Sequence, residues 1–285
     1  MKPESAAVIN GRKALYYSRS GRMFPAASTG VDGLEGIRVI AAEQTLARGN
    51  SQHVRVDARP ASIDINISRS AVIVVDMQND FGAEGGMFHR AGIDISAIRA
   101  AVAPTRNVLT AARRAGILIV YLKMAFKPDL SDAGPAESPN FSRHSLLGVG
   151  TPIQAPNGDA SRVLIRDTWN TDILAALVPL DEDIVIYKHR FSGFFETDLD
   201  AILKRRGINQ LIVTGCTTSI CVESTIRDAM FRDYSCVLLE DCTAEPIGND
   251  FPRSNHDASL LAIQLLLGWV SSADNFVGAL ESLGT

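Results

Sequence analysis

The stretch LIVTGCTTSICVESTIRD (residues 211–228) determines how the rest of the chain is interpreted. It begins as an apolar run typical of a buried strand, turns at Thr214-Gly215, and continues from Cys221 with the spacing of a helix. A helix that begins at a cysteine places the thiol beside unpaired N–H groups and the positive end of the helix dipole, which favours the thiolate. We therefore predict that Cys221 is a nucleophile; the alternative is a buried structural cysteine.

Apolar runs elsewhere in the chain predict further strands of one sheet. The predicted strands cover residues 71–75 (AVIVV), 117–122, 183–188 (DIVIYK), 210–213 and 236–239. Helical patterns occur at residues 95–115, 171–177, 194–206, 221–232 and 254–267. This alternation predicts an α/β fold with an open, mostly parallel sheet and helices on both faces. The last helical segment is apolar nearly all round, which predicts that it is buried, in part against another subunit.

Two segments lack this alternation. Residues 1–60 show no sustained apolar period apart from a short amphipathic pattern at 34–46, so we interpret them as an N-terminal arm or extension. The domain proper is then residues 61–285. Within it, residues 126–152 contain four prolines and are long enough to form a lid over a substrate.

The composition of the chain argues against some classes of binding partner and indicates the cellular compartment. The chain has 285 residues, 46% of them hydrophobic, which is enough to bury a substantial core. A net charge of -4 without a basic stripe argues against nucleic acid, and no apolar run approaches the roughly 20 residues that span a membrane. The N-terminus lacks the apolar region of a secretory signal, and the four cysteines have no CxxC spacing. We therefore expect a cytoplasmic protein.

Three residues with complementary chemistry follow or end predicted strands. Asp76 follows AVIVV, Lys188 ends DIVIYK, and Cys221 lies just past LIVTG. Ligand sites in open α/β sheets form outside the carboxyl ends of the strands, so we expect these side chains to meet. A thiol needs a base, which Asp76 supplies, and a cation that stabilises carboxylate and thiolate, which Lys188 supplies. This set predicts nucleophilic catalysis on an acyl or carbamoyl carbon.

Three motifs in the same order give the chain a family resemblance. VVDMQNDF (74–81), YKHRFSGFFETDLD (187–200) and VTGCTTSICVESTIRDA (213–229) resemble the isochorismatase-like cysteine hydrolase superfamily, over residues 62–283. The resemblance implies a Rossmann-like three-layer fold, with Asp76 as base, Lys188 as electrostatic partner and Cys221 as nucleophile. It also implies a cis peptide bond between Cys216 and Thr217 and an oxyanion hole made by the N–H groups of Thr217 and Cys221.

Shorter matches point to one branch of that superfamily. SPNF (138–141), RFSGFFET (190–197), CVESTIRD (221–228) and LLGWVS (266–271) are most similar to ureidoacrylate amidohydrolases of pyrimidine degradation, with biuret hydrolases as close relatives. Nicotinamidases carry a paired-histidine metal motif where this chain has YLKMAF (121–126), so we expect no metal and no cofactor. The sequence of the predicted lid and the length of the N-terminal arm differ from those of the ureidoacrylate enzymes.

Residues in or beside the matched motifs are candidates for binding a small ureido or amide substrate. The candidates are Asn79, Phe81, Asn140, Arg190, Phe191 and Phe194. Aromatic rings there could sandwich a flat ureido group, and Asn140 or Arg190 could bind a carboxylate or carbonyl. The alternative for Phe191 and Phe194 is core or interface packing, which we favour for Phe195. We expect a structural role for His189 and a helix cap at Asn170.

The leading hypothesis is a cofactor-free cysteine amidohydrolase of the ureidoacrylate type, acting as a homodimer or homotetramer. Biuret or another small amide is the alternative substrate. A non-catalytic small-molecule-binding member is the alternative from a different class. Alkylation of Cys221 well below pH 8.5 would favour the enzyme, because a thiolate reacts and a structural thiol does not.

Overall fold

A sheet of six parallel strands forms the centre of the computed structural model, which describes residues 7–9, 12–14, 52–248 and 252–284. In chain order the described strands are β1 (Ala7–Ile9), β2 (Arg12–Ala14), β3 (His53–Val56), β4 (Ile63–Asn66), β5 (Ser70–Val75), β6 (Leu118–Met124), β7 (Pro152–Gln154), β8 (Ala160–Arg162), β9 (Ile184–Lys188), β10 (Gln210–Cys216), β11 (Ser235–Ala244) and β12 (Trp269–Ser271). The sheet has the order β12-β11-β10-β5-β6-β9, and every neighbouring pair is parallel. The other strands form three antiparallel pairs, β1 with β2, β3 with β4 and β7 with β8.

Helices connect the strands of this sheet. They are α1 (Asn79–Gly82), α2 (Met87–Arg90), α3 (Ser96–Ala100), α4 (Val102–Ala115), α5 (Pro139–Leu146), α6 (Leu199–Arg205), α7 (Glu223–Met230), α8 (Asn255–Ala262) and α9 (Ala273–Glu281). Single 3-10 turns occur at Ile67–Arg69, Trp169–Thr171, Ala175–Leu177 and Ser282–Gly284, and π-helical turns at Thr218–Val222 and Ile263–Leu267. Among the described residues, no helix has both the length and the apolar character needed to cross a membrane.

The core lies on both faces of the sheet. Successive side chains of a strand point to opposite faces, so Val72 and Val74 of β5 pack on one side, in a cluster that includes residues of α4 and α9. Ala71, Ile73 and Val75 pack on the other side, in a cluster that includes residues of α6 and α7. All five side chains are fully buried, as expected for a strand that reads as a continuous apolar run. The predicted α/β fold class is confirmed.

The connections reverse direction beside β5. The chain passes from β5 to β6 and β9 on one side of the sheet, and then crosses to β10, β11 and β12 on the other. Strands β5 and β10 pair from Ser70 with Gln210 to Val75 with Gly215. The crevice outside the carboxyl ends of strands at such a reversal is the usual ligand site of open α/β sheets. Asp76 follows β5 at this point.

The structure places the start of the domain earlier than residue 61. Val54 and Val56 of β3 are buried in the same cluster as β5, and the chain divides into compact units between residues 47 and 48. The β3–β4 hairpin was missed in the sequence because each of its strands has only two inward-facing residues. The amphipathic pattern at 34–46 lies outside the described residues.

Several predicted boundaries are wrong. The helical pattern at 171–177 forms 3-10 turns at Trp169–Thr171 and Ala175–Leu177, and the helix predicted from residue 194 begins at Leu199. The segment 254–267 is helical but not fully buried, since the side chains of Leu265 and Leu266 are 57% and 76% exposed.

Candidate active site

A buried ion pair joins Asp76 and Lys188. The Lys188 Nζ lies 2.7 Å from Asp76 Oδ2, with side-chain exposures of 0% and 1%. Lys188 Nζ also donates to the carbonyl oxygen of Arg190 at 3.3 Å, and Asp76 Oδ1 accepts from the Met124 N–H at 2.9 Å. Two opposite charges withdrawn from water this completely persist only when paired and hydrogen-bonded. The pair therefore holds a carboxylate and an ammonium in fixed positions.

Cys221 lies at the first helical turn after β10. The helical segment begins at Thr218 as a π-helical turn, so Cys221 is inside the first turn and not at its first residue as predicted. The N–H groups of Ile220 and Val222 donate to the Thr217 carbonyl at 3.1 Å, which fixes the turn. The peptide bond between Cys216 and Thr217 is cis. Asp76 and Lys188 both act on the titration of the buried Cys221 thiol, so the structure brings the three predicted residues together.

Gly215 permits the close approach of β10 to β5. Its φ is +114°, and a Cβ atom there would lie 2.0 Å from the carbonyl oxygen of Val75. Only glycine adopts this backbone conformation at so short a distance. Since Val75 precedes Asp76, the contact sets the spacing between the strand end that carries the base and the turn that carries the thiol.

The electrostatics of the site favour a thiol at rest, and the sequence-based expectation of a resting thiolate is corrected. Burial raises the pKa of Cys221 above its ordinary value; Lys188 opposes this increase and the Asp76 carboxylate adds to it. Burial also raises the pKa of Asp76, against the opposing charge of Lys188. Burial lowers the pKa of Lys188, but Asp76 and Cys221 more than reverse this effect. The arrangement is therefore a protonated lysine beside a carboxylate that can accept the thiol proton.

Gln78 supports the base, and sequence reasoning missed it. Its buried side chain donates to the carbonyl oxygens of Met124 and Thr171, at 3.0 and 3.2 Å. Its Oε1 accepts from the Met124 N–H at 2.8 Å, the same N–H that reaches Asp76. Gln78 thus fixes the end of β6 against Asp76. Its position inside the motif VVDMQNDF was the available signal.

A second buried carboxylate lies behind the site. Asp80 accepts from the N–H groups of Met87 and Leu164, at 2.9 and 2.7 Å, and from the side chain of Asn170. Asn170 also hydrogen-bonds with Ser161, so it is not the helix cap predicted from the sequence. Burial raises the pKa of Asp80 to about 6, against the opposing effect of these hydrogen bonds. This network ties the 161–170 loop to α1.

Two of the predicted pocket residues lie in the core. Phe81 packs edge-to-face on Phe88 with ring centroids 5.0 Å apart, and it is 7% exposed. Phe194 packs against Tyr234 at 5.7 Å beneath the guanidinium of Arg232, and it is 5% exposed. Their predicted contact with substrate is corrected to core packing, because aromatic rings of this size are used to fill the layers between helices and sheet.

The remaining predicted pocket residues have different placements. The Asn79 amide donates to the Trp169 carbonyl at 2.8 Å, and that of Asn140 donates to the carbonyls of Ala133 and His189, at 2.9 and 3.3 Å. Phe191 is 37% exposed. The Arg190 guanidinium lies outside β9, in a surface cavity of about 770 Å³ whose lining does not include the three catalytic candidates. The Arg190 guanidinium donates to the carbonyl oxygens of Asp132 and His189, at 2.9 and 2.7 Å.

His189 and Phe195 are neighbours beyond the end of β9; Phe195 is 42% exposed, so it does not pack in the core, and its packing at a subunit interface stays a prediction. Their rings are in edge contact at 6.0 Å, and His189 lies 3.5 Å from Glu196. The Arg190 guanidinium covers the Phe195 ring at 5.4 Å. These contacts form a layer outside β9, away from Cys221.

Comparisons with known proteins agree with this architecture. Residues 70–275 match the family described as "Isochorismatase domain". The solved structure of a cysteine hydrolase from Pseudomonas syringae pv. phaseolicola 1448A is 29% identical, covers 82% of this chain and 99% of its own, and has a TM-score of 0.65. An N-carbamoylsarcosine amidase from Thermoplasma acidophilum is 25% identical, and the match covers 72% of this chain and 97% of the amidase, with a TM-score of 0.54. An isochorismatase family protein from Desulfovibrio vulgaris subsp. vulgaris str. Hildenborough is 25% identical, and the match covers 75% of this chain and 97% of that protein, with a TM-score of 0.58.

Cysteine, lysine and aspartate meet at the carboxyl edge of a parallel sheet, and the comparisons place the chain in a hydrolase family. The chain belongs to the isochorismatase-like cysteine hydrolase family, whose domain match covers residues 70–275.

Proposed function

We propose that the protein is a cysteine-dependent amidohydrolase that cleaves a C–N bond of a small ureido or N-carbamoyl compound of the ureidoacrylate type. The observation that carries the proposal is the buried Asp76–Lys188 ion pair, 2.7 Å apart, whose charges act on the buried thiol of Cys221. This pair provides a base for the thiol proton and a fixed positive charge beside the developing thiolate. The chemistry proposed for these residues uses no metal and no cofactor.

Nucleophilic attack begins with proton transfer. Asp76 accepts the proton of Cys221 as the sulfur adds to the ureido carbonyl carbon, and Lys188, without losing its own proton, stabilises the single negative charge as it moves from the carboxylate to the sulfur. The N–H groups of Thr217 and Cys221 receive the carbonyl oxygen as it becomes an oxyanion. Asp76 then returns the proton to the leaving amine, and the C–N bond breaks.

A second half-reaction restores the enzyme. The carbamoyl group remains as a thioester on Cys221, and Asp76 accepts a proton from the attacking water. The thiol is regenerated, and the carbamate released decomposes to ammonia and carbon dioxide. The first product of a ureidoacrylate-type substrate is an aminoacrylate-type amine, which would place the reaction in pyrimidine degradation.

The choice of a ureido substrate rests on two supports. The motifs SPNF and RFSGFFET resemble the ureidoacrylate branch. A structural neighbour is named N-carbamoylsarcosine amidase, and a carbamoyl amide offers the same carbonyl to a thiol. Biuret and other small amides are the alternative substrates, because they present a similar planar carbonyl flanked by nitrogen.

We further propose a homodimer or homotetramer in the cytoplasm, with no nucleic-acid or membrane partner. The observation that favours self-association is an exposed apolar surface near the helices that follow the nucleophile. Phe231, Leu265 and Leu266 are 67%, 57% and 76% exposed. Large apolar side chains grouped at a surface are typical of protein interfaces.

Trapping with hydroxylamine tests the proposed thioester. A carbamoyl group on Cys221 would partition between water and hydroxylamine, so the wild-type enzyme turning over a ureido substrate should form hydroxyurea in proportion to the hydroxylamine added. The Cys221→Ser variant should form none. Wild-type hydrolysis that yields only carbamate at every hydroxylamine concentration would contradict the covalent step.

A further inference from the structure

Helix α5, in the segment predicted to form a lid, carries a buried histidine, His144. His144 is 7% exposed, and its ring contacts those of Phe126 and Phe191, with centroids 5.2 and 5.8 Å apart. One turn earlier on α5, the side chain of Asn140 donates to the carbonyl oxygen of His189, the residue after Lys188, at 3.3 Å, and the charges of Lys188 and Asp76 both act on the titration of His144. No motif drew attention to His144, because a single histidine in a loop-rich segment carries no pattern.

One ring nitrogen of His144 is committed to the backbone. Nδ1 lies 2.7 Å from the carbonyl oxygen of Asn140, one helical turn earlier. A carbonyl oxygen only accepts, so Nδ1 carries the proton. Burial lowers the pKa of His144, although its hydrogen bond to Asn140 opposes this, and the ring is therefore neutral at pH 7. In the neutral ring the other nitrogen, Nε2, is an acceptor, and within the described chain no hydrogen bond to it is formed.

A second acceptor lies one turn away on the same helix. Asn140 Oδ1 is buried, and no donor among the described residues reaches it, while the amide nitrogen of that side chain is already used by Ala133 and His189. Residues four apart lie on the same side of a helix, so Asn140 and His144 are neighbours there. A buried acceptor without a donor is unfavourable, and a ligand that brings N–H groups removes this cost.

We propose that His144 is a substrate-binding residue whose Nε2 accepts a hydrogen bond from the unsubstituted amino group of the bound ureido or amide compound. Asn140 Oδ1 is the neighbouring acceptor for the same end of the molecule. This inference rests on the proposed function and adds to it the feature of the substrate that is selected. Acceptors such as His144 Nε2 and Asn140 Oδ1 repel a substrate carboxylate, so an anionic end must lie on the other side of the scissile carbonyl.

Terminal methylation of the substrate tests this role. Wild-type kcat/KM should fall when the terminal NH₂ of the best ureido substrate is replaced by N(CH₃)₂, which has no N–H to donate. The preference is the ratio of kcat/KM for the NH₂ substrate to kcat/KM for the N(CH₃)₂ substrate. In His144→Phe, which keeps an aromatic ring between Phe126 and Phe191, this ratio should shrink by about tenfold, the value of one net hydrogen bond. The loss should appear mainly in KM. His144→Gln, which offers an acceptor oxygen near Nε2, should restore part of the preference, and the exposed Ser145→Ala variant should match wild type.

The outcomes separate the two proposals. If the wild type hydrolyses no ureido compound, both the function and this inference fail. If the wild type is active and the preference is the same in His144→Phe, the inference alone is overturned. Should that variant misfold, a second measurement uses the full-length Cys221→Ala protein labelled with ¹⁵N-histidine: the Nε2 resonance of His144 should shift when the unsubstituted ureido compound binds. Binding without such a shift would overturn the inference.

Discussion

Replacing Lys188 by methionine removes the positive charge of the catalytic pair while keeping a side chain of similar length. The Lys188 ammonium and Asp76 carboxylate lie 2.7 Å apart at 0% and 1% exposure, so water cannot replace the missing partner. Asp76 would retain the Met124 N–H at 2.9 Å as its backbone donor. A buried carboxylate in that position takes up a proton, and a protonated Asp76 cannot accept the proton of Cys221.

The expected cost is large for a single substitution. Removing one member of a buried ion pair destabilises a protein by about 3–5 kcal/mol. Each kcal/mol lowers the melting temperature of a domain this size by about 2–4 °C, so we expect a decrease of roughly 6–20 °C. Because Asp76 then favours its protonated form in the folded state, the stability of Lys188→Met should increase as the pH falls through the raised pKa of Asp76.

A surface pair with the same separation provides the matched control. Lys204 and Asp200 are also 2.7 Å apart, but the Lys204 side chain is 63% exposed, so Lys204→Met should cost less than about 1 kcal/mol. Urea unfolding followed by circular dichroism gives both values, and ammonia release gives activity, which only Lys188→Met should lose. Equal costs for the two variants, or an active Lys188→Met enzyme, would refute the role assigned to the buried pair.

Three further predictions follow from buried groups near the site. Because burial raises the pKa of the Cys221 thiol, alkylation by iodoacetamide should be slow at neutral pH and should still be increasing at pH 8.5; a rate that levels off near pH 6 would contradict the resting thiol. With a resting thiol, slow alkylation no longer separates the enzyme from a non-catalytic binder, and turnover must do so. The pKa of Asp80 is raised from 3.8 to about 6 in the folded state, so its contribution to stability should be present at low pH and be lost as the pH rises to about 6. Urea midpoints of wild type and Asp80→Asn should show this difference, and identical pH dependence would exclude it. Gly215→Ala places a Cβ 2.0 Å from the Val75 carbonyl oxygen, so it should destabilise the domain by about 2–3 kcal/mol; unchanged thermal unfolding would mean that the strands separate easily there.

The sheet was predictable because its inner strands are continuous apolar runs. A strand covered on both faces must be apolar at every position, as β5 is, and this pattern is visible without any structure. Strand β12 was missed because three residues are too short for a period, and the β3–β4 hairpin because each strand offers only two inward residues. The exposure of Leu265 and Leu266 in the single chain leaves their predicted burial against another subunit a prediction, since an apolar pattern does not say which side is covered by the same chain.

The catalytic candidates were predictable for a topological reason, and their surroundings were not. Residues that follow parallel strands meet at one edge, so Asp76, Lys188 and Cys221 could be brought together from the sequence alone. The contacts of His144 with Phe126 and Phe191 depend on how the segment 126–152 packs, which no local pattern specifies. The resting state of the thiol depends on how completely the three side chains are buried, which requires the structure.

Ammonia release by the purified full-length protein tests the central claim most directly. The panel contains a ureidoacrylate, biuret, N-carbamoyl amino acids and nicotinamide, each with wild type and with Cys221→Ser. We predict turnover of a ureido compound by the wild type and no turnover by Cys221→Ser, whose hydroxyl is a much weaker nucleophile. Ureido hydrolysis that persists in Cys221→Ser, or a wild-type enzyme that acts only on nicotinamide, would contradict a ureido-specific cysteine amidohydrolase.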